Sequence, residues 1–235
     1  MLKNKTSQNK IIKLLSIWIP ISQLRRFFRG VLYNKFNNNK IYLIDKNGEK
    51  KEVYKIKGLY INIRGENNRI VIGTPSQFIN ASIDISGCNN TVSIGIPNAK
   101  VECSIYLNGA HTNNTTLSIG DNFSIRSGNI ILRGENKQIS IGNDCMFSNN
   151  ITIRNTDSHK IYEKETKKLL NPEENVIIGN KVWLTQDVTV GKGSVIPDGC
   201  IVGTKSFVNK KFEEPNCIIA GIPAKVVKEN VCWEM

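Results

Sequence analysis

The sequence predicts an all-β solenoid: a parallel β-helix with an extruded loop, a short basic amphipathic helical segment before it and a short carboxy-terminal tail. Three observations predict this fold: a strict six-residue repeat, a second repeat of polar corners, and one long polar interruption. A helix would repeat its apolar face every 3.6 residues and a half-buried strand every 2. A period of six is typical of parallel β-helices, in which three short strands form one coil of about 18 residues.

The six-residue repeat is unbroken from Ile178 to Val208. One series consists of large aliphatic residues, and a second series of mostly smaller residues follows it by four positions. The two series are Ile178, Leu184, Val190, Ile196, Val202 and Val208, and Val182, Val188, Ser194, Cys200 and Ser206. We expect the first series to point inward on the flat faces and the second to fill the space near the corners.

A polar, Asn-rich corner repeats upstream, in the segments GENNRIVIG, GCNNTVSIG, TNNTTLSIG and GENKQISIG. Their final glycines are 22, 25 and 22 residues apart, at Gly73, Gly95, Gly120 and Gly142. Asn and Gly accept the left-handed backbone that sharp corners require. Counting onward by sixes predicts two coils with inward residues Ile119, Ile125 and Ile131, then Ile141, Phe147 and Ile153.

These patterns divide the chain into four segments. Residues 1–40 form a basic amphipathic helical arm, and residues 41–58 form a β-hairpin lead-in around the tight turn Asn47-Gly48. Residues 59–212 form the β-helix, with an extruded loop at 154–176, and residues 213–235 form the tail. The loop is predicted because Ile153 and Ile178 are 25 residues apart instead of six. Long polar loops in compact repeat folds are functional or disordered.

Charge is concentrated in the arm. The chain carries a formal charge of +12, and residues 1–44 contain nine Lys or Arg and no Asp or Glu, which leaves +3 for the remainder. A solenoid that binds nucleic acid needs a basic stripe along its body. The nearly balanced body therefore argues against a nucleic-acid partner.

The apolar stretch of the arm, residues 11–21, is interrupted by Lys13 and Pro20. It is shorter than the roughly 20 residues of a membrane span, and no small-residue cleavage site follows it. We expect a cytoplasmic protein with two short helices around Pro20. The arm either rests on the anionic inner membrane or caps the solenoid or an oligomer contact.

The six cysteines are scattered and contain no Cys-x-x-Cys pair, so we expect free thiols in a reducing compartment. Cys145 and Cys200 occupy inward positions of the repeat and are predicted core residues. The chain contains only two histidines, His111 and His159. No metal site is predicted from this set.

Four motifs carry a resemblance to a known family: DSHKIY at 157–162, Asn171-Pro172, IGNKVW at 178–183 and IAGIPAKVV at 219–227. The chain resembles the hexapeptide-repeat acyltransferases, and within them the sugar and polysaccharide O-acetyltransferases. The resemblance is strong over 139–235, weaker over 59–138 and absent over 1–45. It implies left-handed coils, whereas parallel crossovers are otherwise right-handed. It also implies a homotrimer with acetyl-CoA, the co-substrate, between neighbouring subunits.

The resemblance also implies the site residues. His159 is the expected general base, because an imidazole titrating near neutrality can take the proton of a sugar hydroxyl as it attacks a thioester. Asp157, Tyr162 and Trp183 are the expected substrate-binding residues. The candidate residues for CoA are Gly203 and Ala220, beside which the pantetheine arm would lie, and Lys205 and Lys225 for the phosphates, with Lys210 and Lys211 as further candidates.

The predicted function is an acetyl-CoA-dependent O-acetyltransferase that acts on a sugar hydroxyl of a bacterial surface polysaccharide, capsular or O-antigen, or its precursor. Two alternatives stay open: an N-acyltransferase on a nucleotide-linked amino sugar or on serine, and a non-catalytic β-helix that serves as a scaffold or binding module. A zinc enzyme like the γ-class carbonic anhydrases would need three histidines per metal. His111, at an Asn-rich corner, is interpreted as surface structure and is the second candidate for the base.

Overall fold

The computed structural model describes residues 2–107 and 112–234, with side chains described from residue 8 onward. Two helices, α1 (Leu2–Ser16) and α2 (Ser22–Phe36), precede a β-solenoid of about seven turns. The predicted fold class, including the helical segment and the extruded loop, is confirmed. Pro20 lies between the two helices, where its missing N–H and restricted φ interrupt the helical hydrogen bonding.

Twenty strands in the described residues form the solenoid and its edges. In chain order they are β1 (Lys40–Ile44), β2 (Lys50–Glu52), β3 (Leu59–Arg64), β4 (Arg69–Gly73), β5 (Ala81–Ser86), β6 (Thr91–Ile94), β7 (Val101–Leu107), β8 (Thr116–Ile119), β9 (Ser124–Ile131), β10 (Gln138–Ile141), β11 (Met146–Phe147), β12 (Ile151–Arg154), β13 (Val176–Ile178), β14 (Trp183–Leu184), β15 (Thr189–Val190), β16 (Val195–Ile196), β17 (Ile201–Val202), β18 (Phe207–Val208), β19 (Ile218–Gly221) and β20 (Ala224–Lys228).

The strands stack into three faces, which we name A, B and C in the order the chain visits them in each coil. Face A runs β1-β4-β6-β8-β10-β13-β16, face B runs from the start of β9 through β11-β14-β17-β19, and face C runs β3-β5-β7-β9-β12-β15-β18. Strand β9 bends and serves two faces, pairing with β11 at its start and with β12 at its end. The stacked pairs are parallel, whereas β2 and β20 pair antiparallel at the two edges.

The core is a continuous column of aliphatic side chains. Every residue of both six-residue series between Ile178 and Val208 is buried, which confirms the predicted inward positions. Each fully buried aliphatic side chain contributes on the order of 2 kcal/mol. Each coil therefore packs its buried side chains against those of the coils directly above and below it, and this packing holds the solenoid together.

The inward residue that the six-residue count predicts is wrong at one position. Ile130 is buried to 1% exposure, whereas the predicted Ile131 is only half-buried. Strand β9 sets Ile130 in register with Ile105 of β7 and with Ile153 of β12. The bend of β9 between faces B and C thus takes one residue fewer than a regular corner does.

The solenoid extends beyond both predicted ends. β1 pairs in parallel with β4, so face A begins at residue 40, whereas β2 pairs antiparallel with β1 and lies outside the parallel stack. At the other end β19 pairs with β17, and Cys217 and Ile219 continue the buried positions past residue 212. The hydrophobic pattern therefore continues where the predicted tail begins.

A ladder of buried polar side chains runs along the corner between faces C and A. The Asn39 Oδ1 accepts from the Asn68 backbone N–H at 3.0 Å, and the Asn68 Oδ1 accepts from the Asn90 N–H at 3.0 Å. The Asn90 Oδ1 accepts from the Thr115 N–H and hydroxyl at 3.0 and 2.7 Å. Buried polar groups are costly unless they are paired, so these bonds hold successive coils at one corner.

All six cysteines lie in the described residues and are free thiols. Cys145 and Cys200 are buried, as their positions in the repeat predict. Burial raises the pKa of Cys103 to about 12 and that of Cys145 to about 11. These thiols are packing groups, because the reactive form of cysteine is the thiolate.

Candidate active site

The extruded loop leaves face C after β12 and rejoins face A at β13, at the same corner as the polar ladder. The buried Asn155 fixes its root: Oδ1 accepts from the Arg133 backbone N–H at 2.8 Å, and Nδ2 donates to the Arg133 carbonyl at 2.9 Å. At the other end the Glu174 N–H donates to the Asn155 carbonyl at 3.1 Å. Both ends of the loop are thus anchored to the solenoid.

The middle of the loop forms a small hairpin. Tyr162 and Leu169 form an antiparallel bridge, and the Leu170 N–H donates to the Ile161 carbonyl at 2.8 Å. The side chain of Tyr162 is exposed on this hairpin. Its phenol is therefore available to an external ligand.

A cluster that we call the loop latch consists of Asp157, Asn171 and Lys192. Asp157 Oδ2 lies 2.8 Å from Lys192 Nζ and accepts a hydrogen bond from Asn171 Nδ2 at 3.1 Å. Asn171 Nδ2 also donates to the His159 carbonyl at 2.9 Å, and Lys192 Nζ donates to the Pro172 carbonyl at 3.3 Å. Lys192 belongs to the solenoid, so the latch ties the backbone at His159 to a rigid coil.

Hydrogen bonding to Lys192 lowers the pKa of Asp157 below its ordinary value of 3.8, and Asn171 adds to this effect. Because the pKa in the folded protein is the lower one, the stabilisation is complete above the ordinary value. It is lost as the pH falls through the lowered value. The latch is therefore fully formed at neutral pH.

His159 is exposed, and its imidazole makes no hydrogen bond with the residues that the structure describes. Its backbone is held by Asn171, but no carboxylate in the described ranges orients the ring, and Asp157 is bonded to Lys192 instead. The imidazole can therefore meet a substrate from outside. The second candidate base, His111, lies outside the described residues.

Trp183 begins β14 on face B and is half-buried. Its ring centroid lies 5.9 Å from that of Trp233 in the tail, and the two planes are tilted by 44°. Trp233 is anchored because its Nε1 donates to the Lys181 carbonyl at 2.9 Å. The buried Nε1 of Trp183, in contrast, has no hydrogen-bond partner in the part of the chain described.

The candidate CoA residues gather near the corner between faces B and C at the end of the solenoid. The Gly203 N–H donates to the Ile219 carbonyl at 2.8 Å, and a Cβ at Gly203 would lie 3.0 Å from the Ala220 Cβ. Lys225 on β20 pairs with Ala220, and Lys205 lies on the same corner with φ of 58°. Of the further candidates, Lys210 Nζ lies 5.0 Å from the ring centroid of Phe212.

One chain does not bring all the predicted site residues together. The loop with His159 leaves the corner between faces C and A, whereas Trp183 lies on face B and Gly203 lies at the next corner. Sequence reasoning missed Lys192 and Trp233 altogether. Neither belongs to a motif, and only the stacking of the coils brings them to their partners.

No protein-family model matches the chain. It is 39% identical over 118 residues to a polysialic acid O-acetyltransferase of Neisseria meningitidis, a match that covers 50% of this chain and 54% of that protein. The chain thus spans about half the length of this curated relative.

Two solved structures resemble the solenoid over most of its length. The polysialic acid O-acetyltransferase OatWY has a TM-score of 0.68 and 34% identity, with 84% of this chain and 88% of that chain covered. The polySia-specific acetyltransferase NeuO has a TM-score of 0.67 and 25% identity, with 84% and 78% covered.

Proposed function

Because the chain belongs to the hexapeptide-repeat acyltransferases with left-handed β-helices, we propose that it transfers an acetyl group from acetyl-CoA to a sugar hydroxyl. The proposed acceptor is a bacterial surface polysaccharide, capsular or O-antigen, or its precursor. The observation that carries this proposal is the 34% identity to OatWY over 88% of that chain. Since acetyl-CoA is an intracellular metabolite, we place the reaction in the cytoplasm.

In this proposal His159 is the general base. The acceptor hydroxyl gives its proton to the imidazole, and the oxygen forms a bond to the thioester carbonyl carbon. The carbon–sulfur bond then breaks, and the imidazolium returns the proton to the departing thiolate. The exposed imidazole and the backbone anchor at Asn171 support this role.

The corner at Gly203 and Ala220 suits the pantetheine arm of CoA, because small side chains there allow a ligand to approach the backbone. Lys205 and Lys225 supply cations for the phosphates. Trp183, Asp157 and Tyr162 are proposed on the acceptor side. Because Asp157 is already bonded to Lys192, its role is to hold the loop more than to contact the sugar.

The separation of His159 from the CoA corner supports a homotrimer, in which the loop of one subunit faces the CoA residues of its neighbour. Light scattering at micromolar concentration is expected to give three times the monomer mass of 26.4 kDa. A monomer that is fully active at that concentration would contradict the shared site.

The proposed function is tested by thiol release from acetyl-CoA in the presence of purified acceptors. The panel contains polysialic acid, other capsular and O-antigen polysaccharides, a nucleotide-linked amino sugar and serine. Release driven by a polysaccharide supports the proposal, whereas release driven only by an amine acceptor indicates the N-acyltransferase alternative. Tight polysaccharide binding without release would indicate a binding module.

Removing the ammonium of the loop latch is expected to lower kcat about tenfold. Lys192→Met keeps the aliphatic stem but leaves Asp157 without its ion pair, so the backbone at His159 samples more conformations. Asp157→Asn is expected to have a similar effect. The double variant is expected to be no worse than either single variant, since both remove one interaction. The measurement is steady-state kinetics with saturating acetyl-CoA.

The matched control is Lys168→Met, which removes an exposed ammonium from the same loop. It is expected to retain full activity. Trypsin should cleave the loop faster in Lys192→Met than in the parent protein, because both have the same Lys and Arg residues within the loop. Losses that multiply to about a hundredfold in the double variant would show that Asp157 and Lys192 act separately, which contradicts the latch.

A further inference from the structure

The helical arm exposes an unusual amount of apolar surface where its two helices meet. We name residues 14–21 the arm tip. Trp18 is 89% exposed, and Leu14 is 65% exposed. Further exposed apolar residues on the tip and beside it are Leu15, Ile17, Ile21, Leu24, Phe27 and Phe28. Contiguous apolar surface of this kind marks an interaction site.

The arm does not bury this surface against the solenoid. Helix α2 has no buried residue, and hydrogen bonds tie it to the coils at its last turn and at the residue after it. There the Tyr33 hydroxyl accepts from the Gly65 N–H at 3.1 Å, and the Asn37 carbonyl accepts from the Asn67 N–H at 2.9 Å. The 15 residues of α2 span about 22 Å, so the tip lies at the end of the helix that is not anchored.

The two helices are nevertheless held together. Ile12 and Ser16 of α1 are buried, and Arg29 Nε donates to the Ser16 hydroxyl at 2.6 Å. Arg25 Nε donates to the Ile19 carbonyl at 2.8 Å, which fixes the joint between the helices. The arm tip therefore has a defined structure, in which the two helices hold the apolar residues in place.

The positive charge of the arm indicates which kind of partner this apolar surface binds. Residues 1–44 carry nine Lys or Arg and no acid, and the exposed Lys10, Lys13 and Arg26 lie beside the apolar residues. A second copy of the arm would bring two such clusters of like charge together. An anionic lipid surface, in contrast, offers both an apolar layer and opposite charge. No helix in the described part of the chain is long and apolar enough to cross a bilayer.

We propose that the arm tip inserts Trp18 and its apolar neighbours into the interface of an anionic phospholipid membrane, with the arm cations on the headgroups. The solenoid is thereby held at the membrane surface by its amino-terminal end. This inference goes beyond the proposed acetyl transfer and stands on the arm alone.

The test is flotation of the full-length protein with vesicles of phosphatidylethanolamine containing 0, about 20 or about 40% phosphatidylglycerol. The protein is expected to float only with the anionic vesicles. Ile17→Ser/Trp18→Ser, which changes the joint and not a helix, is expected to weaken binding at least tenfold. Lys13→Gln/Arg26→Gln is expected to weaken it roughly 25-fold, about fivefold for each charge.

Matched controls are Tyr60→Ser, which removes a 69% exposed aromatic ring on β3, and Lys46→Gln/Lys51→Gln, which removes two exposed cations near the hairpin. Both are expected to float like the parent protein. Equal flotation with neutral vesicles, or with the tip variant, overturns the proposal. A tip variant that changes the mass in light scattering but not flotation assigns the surface to a second copy and also overturns it. Thiol release with a soluble acceptor is expected to be unchanged in the tip variant, so failure of the enzymatic proposal is seen separately.

Discussion

Replacing His159 with alanine is expected to lower kcat for acetyl transfer by about two to four orders of magnitude, the range typical of a lost general base. The KM for acetyl-CoA is expected to change little, because His159 acts on the acceptor hydroxyl and other residues are proposed to bind the pantetheine arm and the phosphates of CoA. The fold is expected to be unaffected, since the imidazole is exposed and makes no hydrogen bond with the described residues. The measurement is thiol release at saturating acetyl-CoA with the best acceptor from the panel.

The neighbouring Lys160→Ala removes an exposed side chain from the same loop and serves as the control, with activity expected near that of the parent. His159→Gln, which keeps a polar side chain without a basic nitrogen, is expected to be as slow as the alanine variant. If His159→Ala turns over at the parental rate, the base lies elsewhere. His111→Ala would then be the next variant to measure.

The fold could be predicted from the sequence because every coil repeats the same physical requirement. An aliphatic residue at each sixth position must point into the core of the coil. Leu184 and Val202 occupy such positions, and both are fully buried. The extruded loop could be placed because it interrupts this count. The count failed at Ile131, because the bend within β9 is set by pairing with β7 and β12, which no local pattern reveals.

The candidate active site could be predicted only in part from the sequence. His159 could be singled out by its motif, but the loop latch depends on Lys192, which lies in a later coil. The packing of Trp183 on Trp233 depends in the same way on where the tail returns. Contacts between residues far apart in the chain follow from the number of residues in each coil. A single irregular coil changes that number.

A substitution at the corner between faces C and A tests how closely the backbones of neighbouring coils must approach each other. Gly87 lies there with φ of 145°, a backbone conformation that L-residues with a side chain rarely adopt. A Cβ at this position would lie 1.8 Å from the Thr112 carbonyl oxygen in the next coil. The Gly87 carbonyl also accepts from Asn68 Nδ2 at 2.9 Å, so any shift disturbs the polar ladder as well.

Gly87→Ala is therefore expected to lower the free energy of unfolding by about 3 kcal/mol or more, because the backbone of two coils must move apart. Gly30→Ala makes the same chemical change in the middle of α2, where nothing beyond the chain neighbours and the adjacent backbone of the helix lies within 4 Å of the new Cβ. It is expected to stabilise the arm by up to about 1 kcal/mol, the difference in helix propensity between Gly and Ala. Urea denaturation followed by circular dichroism measures both. Equal midpoints for Gly87→Ala and the parent protein would mean that the coils tolerate a Cβ at this corner, and that the close approach of backbones there does not limit the stability of the solenoid.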